Sequence, residues 1–176
     1  MSDYTDPVFR CTASGDAMIT RRLPLEGEYG GFGEVRDFIL RGDFRFGNLE
    51  TTVHNFESCG AAQSGGSWLG SPPGVLKDMR KFGMNILGTA NNHALDYSYG
   101  GLLRTIRCLE AEDFPFAGTG RTLADASRPA YLDTASGRYA LICCTMTFNP
   151  ECMAGEQTAS LPGRPGVNGI RINRKP

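Results

Sequence analysis

A chain of 176 residues, 40% apolar and 21% charged, has the composition of an ordinary globular domain, which excludes a disordered or fibrous protein. Its 18 Lys and Arg nearly cancel 19 Asp and Glu, for a net charge of −1, so nucleic acid and anionic lipid are not expected as partners. No apolar run approaches the roughly 18 residues of a spanning helix, and residues 1–7 have neither the basic start nor the apolar middle of a signal peptide, so a cytoplasmic chain is expected.

Six cysteines (Cys11, Cys59, Cys108, Cys143, Cys144, Cys152) accompany no export signal, which favours reduced thiols over a disulfide framework. None forms a C-x-x-C pair. Cys143 and Cys144, adjacent on a strand, would point to opposite faces, so a zinc knuckle has little support and the cysteines are expected mostly as small core residues.

In chain order, residues 8–14 read as a first strand that stops at Gly15-Asp16. Residues 17–31, rich in Arg, Pro and Gly, are expected to be irregular, and residues 34–40 form a short helix with Val35, Phe38 and Ile39 inward. Residues 43–50 alternate aromatic and polar side chains as a strand does, which delivers Asn48 and Glu50 to one face. Residues 51–70 hold His54, Cys59 and the single tryptophan, Trp68, in a long loop suited to covering a site.

Pro72-Pro73-Gly74 then introduces a helix to about Lys81 with Val75, Leu76 and Met79 on one side. A buried strand follows through Met84, Ile86 and Leu87 and breaks abruptly into Asn91-Asn92-His93. Leu102, Leu103, Ile106 and Leu109 recur at helical spacing behind Ser98, a candidate N-cap. A short strand at 114–120, a helical turn at 123–127 and a hairpin joining 130–133 to 139–144 make the sheet mixed, so the fold class is α/β with helices flanking a mixed sheet. Beyond Asn149 no periodicity is strong.

Three strands thus finish in polar residues: Asp16, then Asn48 and Glu50, then Asn92 and His93. The carboxyl edge of an α/β sheet is where sites form. Carboxylates and amide oxygens bind hard cations, and imidazole suits a transition metal or acts as a general acid, so the set fits metal-assisted hydrolysis of a phosphate ester. The competing reading has Asp16 and Asp96 capping turns, Asn91 and Asn92 bonding a tight loop, and His93 as a satisfied buried histidine. His54 lacks neighbouring ligands and is left out, Asp43 lies at the wrong strand end, and Trp68 is expected to pack. Arg21 and Arg22 follow Asp16 and are available to meet an anionic substrate or to stay solvated.

The segments Ala13-Ser14-Gly15-Asp16-Ala17-Met18, Phe46-Gly47-Asn48-Leu49-Glu50-Thr51 and Thr89-Ala90-Asn91-Asn92-His93-Ala94-Leu95-Asp96-Tyr97 resemble, in that order, the CapA family of bacterial capsule and poly-γ-glutamate synthesis proteins. The likeness continues through Phe116-Ala117-Gly118-Thr119-Gly120 and Arg164-Pro165-Gly166-Val167-Asn168. It implies a fold similar to the calcineurin-like metallophosphoesterases, an α/β sandwich with a dinuclear metal site. Asp16, Asn48, Glu50 and Asn92 would then form the metal set, Asn48 orienting Glu50, with His93 the acid or transition-state donor. Divalent ions such as Mn2+, Zn2+ or Fe are the implied cofactors, and an anionic polymer or a phosphoester the implied substrate.

The family continues past the Arg-Pro-Gly-Val-Asn segment into a half with further histidines, including a Gly-His-x-Pro-His-like motif, and some members carry a membrane anchor. Residues 1–176 are therefore expected to be the amino-terminal part of one CapA-like domain, inactive as a short chain and prone to associate through an exposed sheet edge. The rival expectation is a non-catalytic binding or assembly subunit that keeps the fold.

Overall fold

The computed structural model describes residues 8–24, 30–64, 66–170 and 172. The amino-terminal residues 1–7, part of the expected irregular stretch (25–29), residue 65 of the long loop and the closing residues 171 and 173–176 lie outside the described residues. In chain order, β1 (Cys11–Ala17) leads through α1 (Phe32–Ile39) to β2 (Phe44–Leu49). The short β3 (Thr52–Val53) and β4 (Gly70–Ser71) pair in parallel and close the root of the long loop between them. Then α2 (Val75–Lys81) leads to β5 (Ile86–Gly88), and α3 (Ser98–Ala111) to β6 (Phe116–Ala117). There follow β7 (Thr119–Gly120), α4 (Leu123–Ser127), the hairpin β8 (Ala130–Thr134) with β9 (Gly137–Leu141), a 3-10 turn at Pro150–Cys152, and β10 (Gly166–Val167).

The main sheet has the order β1-β2-β5-β6 with every pairing parallel. Because successive strands step across the sheet in one direction and such crossovers are right-handed, the connecting helices fall on one face. The packing agrees: Leu49 and Leu87 bury against Ile39 of α1, Val75, Leu76 and Met79 of α2, and Cys108 and Leu109 of α3. The opposite face, with Phe44 and Ile86, carries at Phe44 the rings of Phe9 and, from later chain, Tyr139. The Tyr139 ring lies 6.2 Å from Phe44 and 4.5 Å from Phe9, and Cys143 Sγ reaches over Gly88.

The α/β class is therefore as expected, but the hairpin does not make the main sheet mixed. Its two strands pair with each other alone, through Ala130 to Thr134 against Gly137 to Leu141, and lie over the sheet as a separate layer. The Val75, Leu76 and Met79 stripe is fully buried, as the helical spacing requires. Two other expectations change. In α1 the buried stripe is Phe32 and Ile39, two turns apart, while Val35 and Phe38 are 49% and 55% exposed. The helix starts at Phe32, whose ring packs on Phe82 at 4.7 Å, and this sets the inward face. Ser98 is not the cap of α3: Tyr97 holds that position, and Ser98 takes φ 56° with its hydroxyl donating to the Cys59 carbonyl. All six cysteines are free thiols, yet only Cys108 is buried, so the expectation of mostly core cysteines fails where Cys11, Cys59 and Cys144 sit at the surface.

His54, at the root of the long loop, is fully buried between the rings of Tyr97 (4.2 Å) and Phe56 (5.0 Å). Its Nδ1 accepts the Phe56 N–H at 3.1 Å, so Nε2 carries the proton and finds no partner among the described residues. Burial pushes the imidazole pKa down against the raising effect of Glu57. The unfolded chain therefore takes up a proton near pH 6.5 that the folded chain refuses. Stability is full above that pH and falls as the pH drops toward the lower folded value. Melting temperatures followed from pH 7.5 to 5.5 should decline, and His54→Phe should flatten the decline; equal slopes in the two proteins would show that His54 is not the group responsible.

Candidate functional site

The carboxyl ends of β1, β2 and β5 meet at one edge, and a hydrogen-bonded chain of side chains runs across it. Asp16 stands opposite Asn48 in the β1–β2 register, with a bulge between Ala13 and Asp16. The bulge matters because two residues lie between Ala13 and Asp16 while one lies between Phe46 and Asn48. Without the extra residue Asp16 would face away from Asn48. As built, Asn48 Nδ2 donates to Asp16 Oδ1 at 2.8 Å and also to Glu50 Oε2, so one amide ties the two carboxylates together.

Asn91, two residues past the loop's entry at Thr89, continues the chain. Its Nδ2 donates to Asn48 Oδ1 at 3.2 Å and to the Leu49 carbonyl at 2.8 Å, and its Oδ1 accepts the His93 N–H at 3.1 Å. His93 is 8% exposed, and its Nδ1 lies 2.7 Å from Asp96 Oδ2. Asp96 is 1% exposed and as a carboxylate can only accept, so Nδ1 carries the proton and Nε2 is the ring nitrogen left for chemistry. The same Asp96 oxygen accepts the Leu69 N–H at 2.7 Å, and the Asp96 carbonyl accepts the Ala61 N–H at 2.8 Å. The long loop is thus fastened to the residue that orients His93. Asn92, half-buried, stands between Asn91 and His93 in the chain.

The electrostatics single out Glu50. Burial first, then the neighbouring Asp16 charge, raise its carboxyl pKa above the usual range, and His93 and the Asn48 amide pull only partly the other way. Among the described residues no Lys or Arg forms an ion pair with Asp16 or Glu50. Two carboxylates held by one amide without a basic partner leave negative charge that a cation would neutralise. Among the described residues no three His, Cys, Asp or Glu side chains cluster as a metal site by themselves, so amide oxygens would have to complete any coordination.

A family model described as bacterial capsule synthesis protein PGA_cap matches residues 10–173. The chain belongs to that family. Two Sinorhizobium fredii proteins of uncharacterized function, y4sH and y4uA, are each 37% identical over 169 residues, covering 94% of this chain and 36% of their own length. The capsule biosynthesis protein CapA of Bacillus anthracis is 26% identical over 89% of this chain and 39% of the relative. The PGA biosynthesis protein CapA of Bacillus subtilis is 25% identical over 93% and 43% respectively. The chain therefore spans well under half the length of the curated relatives it matches.

Within this PGA_cap domain the structure adds partners that the sequence does not announce. Asp96, a turn cap on the competing reading alone, is the partner of His93, and the His-Ala-Leu-Asp spacing across a tight turn is the signal for it. Asn91 does bond a tight loop, but through Asn48 it also belongs to the site. Arg22 has a structural partner: its side chain is half exposed, and Nε and Nη2 clamp the buried Asp78 carboxylate of α2 at 2.7 and 2.9 Å, which holds that carboxyl below its ordinary pKa. His54 has no surface, and Asp43, at the far end of the sheet, accepts from Ser136; Trp68, expected to pack, is 49% exposed and donates across its own loop to the Ala61 carbonyl.

Proposed function

We propose that this PGA_cap domain is a metal-dependent, phosphoesterase-type hydrolase unit acting in capsule or poly-γ-glutamate synthesis. The observation that carries the reading is the continuous chain Asp16–Asn48–Glu50 with Asn91–His93–Asp96 at one sheet edge. Asp16, Glu50 and Asn92 would hold a divalent ion such as Mn2+, Zn2+ or Fe, with Asn48 keeping the two carboxylates together. When bound, such an ion supplies Lewis-acid polarisation of a phosphoryl oxygen. The chain's own residues do the rest. Asp96 fixes the His93 tautomer, so that Nε2 accepts a proton or, once protonated, donates one to a leaving oxygen. Asn91 holds the His93 backbone and with it the distance between imidazole and carboxylates. The biological setting is supported by the family and by the Bacillus relatives, and the substrate class by the donor set.

These donors suffice for one cation, since each needs four to six ligands and waters can complete only one shell from so few. Turnover of bis-p-nitrophenyl phosphate by this chain alone should accordingly stay near background with Mn2+ present. Inorganic phosphate should nevertheless bind in calorimetry when Mn2+ is added and not without it, and His93→Ala should weaken that binding about tenfold, the scale of one lost hydrogen bond to an anion. Phosphate binding that ignores both metal and His93 would sink the reading. Fast turnover abolished by His93→Ala would show that one cation is enough. A non-catalytic assembly subunit is the second reading, favoured by the lack of a purely titratable metal cluster among the described residues.

A further inference from the structure

Of the two histidines, His54 is the one that the candidate site does not use, and a second proton on its ring has a single place to go. A Cβ added at Gly70 would stand 3.1 Å from Nε2, so β4 closes the space beyond the nitrogen that already carries a proton. Nδ1, which holds the lone pair, is engaged by the Phe56 N–H. Protonating Nδ1 therefore turns an acceptor facing an N–H into a donor facing an N–H. Among the described residues the charged group that faces the ring is Glu57, whose Oε2 lies 3.8 Å from Nδ1 and whose Oε1 lies 3.1 Å from Arg104 Nε of α3. Cys108 of α3, which feels both charges, stays a neutral thiol because burial pushes its pKa up. Tyr97 and Phe56 turn their rings to the imidazole.

The Nδ1 bond holds a strained piece of chain. Phe56 takes φ 61°, the left-handed region that a bulky residue keeps only where its surroundings hold it there. Ser98, which receives the same segment, takes φ 56° while its hydroxyl donates to the Cys59 carbonyl. At the far end Ala61 donates to the Asp96 carbonyl at 2.8 Å. Trp68 lies against Gly60, where a Cβ would stand 3.2 Å from its indole nitrogen, and donates to the Ala61 carbonyl at 2.9 Å. Residues 55–61 thus run from the His54 ring to the backbone of the residue that orients His93. Loss of the Nδ1 bond lets Phe56 return to an ordinary backbone conformation, so the segment has two discrete arrangements.

We propose that His54 is a proton-operated latch: with Nδ1 unprotonated it holds residues 55–61 against Ser98 and Asp96, and protonation of Nδ1 releases them. Burial disfavours the imidazolium more than Glu57 supports it, so the segment is latched at neutral pH and release lies on the acid side of an ordinary histidine. The coupling is reciprocal, and whatever keeps Ala61 on Asp96 also keeps the proton off His54. The inference goes beyond the catalytic reading and does not rest on it, since it concerns the backbone of Asp96 and needs no metal.

Trp68, the single tryptophan, reports the segment directly. In the full chain with chelator present, its emission should shift to the red between about pH 7 and about pH 5, while far-UV circular dichroism stays unchanged. Over the same range the hydrogen-exchange protection factor of the Ala61 amide should fall about tenfold, and amides inside α3 should keep theirs. His54→Asn places a non-titrating amide oxygen where Nδ1 accepts the Phe56 N–H, and should stay latched throughout. Glu57→Gln removes the charge that supports the imidazolium and should move the midpoint to lower pH. His93→Gln should leave the transition in place. An emission change that survives His54→Asn, that vanishes in His93→Gln, or that arrives together with loss of circular dichroism overturns the proposal. So does Ala61 protection that is the same at both ends of the range, or a midpoint that Glu57→Gln leaves unmoved.

Discussion

Excess Mn2+ is expected to raise the melting temperature of this protein by about 5–10 °C, and Glu50→Gln is expected to abolish the rise. A ligand that binds only the native state at a hundred times its dissociation constant stabilises by about 2.7 kcal/mol. For a chain of this size each kcal/mol shifts the midpoint by about 2–4 °C. Glu50 is the chosen position because its carboxyl is unfavourable in the metal-free protein, raised in pKa by burial and by Asp16. The sign follows: a group whose folded pKa is raised binds its proton more readily in the native state, so it lowers stability as the pH rises through the folded value. Gln removes that charge while keeping the shape, and so the metal-free variant should melt no lower than the parent at pH 7. Differential scanning calorimetry with and without Mn2+ separates the two effects. A variant that melts lower and still responds to Mn2+ would show that Glu50 is structural and that the cation binds elsewhere.

The second large effect is expected at Gly118, which links β6 to β7 with φ +114°. A Cβ there would stand 2.6 Å from the Ala90 backbone nitrogen and 2.7 Å from the Ala90 Cβ, and neither can swing aside as a flexible side chain would. Backbone strain and overpacking of this kind each cost about 1–3 kcal/mol, so Gly118→Ala should lose about 3 kcal/mol and about 6–12 °C. The damage is not only to stability. Ala90 precedes Asn91, so displacing it moves the amide that links Asn48 to His93. Urea unfolding reads the first loss and the Mn2+ response reads the second. A Gly118→Ala protein of parental stability would mean that the two segments part easily.

The elements that sequence makes legible are those whose patterns are local. The 75–79 stripe and the break from Ile86 and Leu87 into Asn91-Asn92-His93 declare a helix and a strand end within one or two turns of chain, and both stand in the structure. Asp16, Asn48 and Glu50 were readable as strand-end residues. That one amide joins the two carboxylates depends on register, a bulge and a neighbouring strand 32 residues away. Arg22 illustrates the limit. Nothing near it in sequence announces Asp78, 56 positions on, and an arginine close to a candidate site looks like a substrate contact until its partner is seen. The inward face of α1 was misread for a related reason: Phe32 lies outside the residues that seemed helical, and its packing on Phe82 decides which side turns in.

The order of strands across the sheet is the order in which a ribosome would deliver them. Each of β2, β5 and β6 docks on a strand already made, and none has to wait for a later one to be threaded between its neighbours. Contacts of this sort close loops of modest length, which keeps the entropic barrier to each addition low and lets assembly proceed stepwise from the amino terminus. Among the described residues, the four strands of the sheet and the three helices between them can therefore be in place once residue 117 has emerged, with the hairpin that lies over Phe44 still to come. During that interval Phe44 lacks the Tyr139 ring that lies against it in the finished fold, and the speed with which residues 130–141 arrive becomes a determinant of yield.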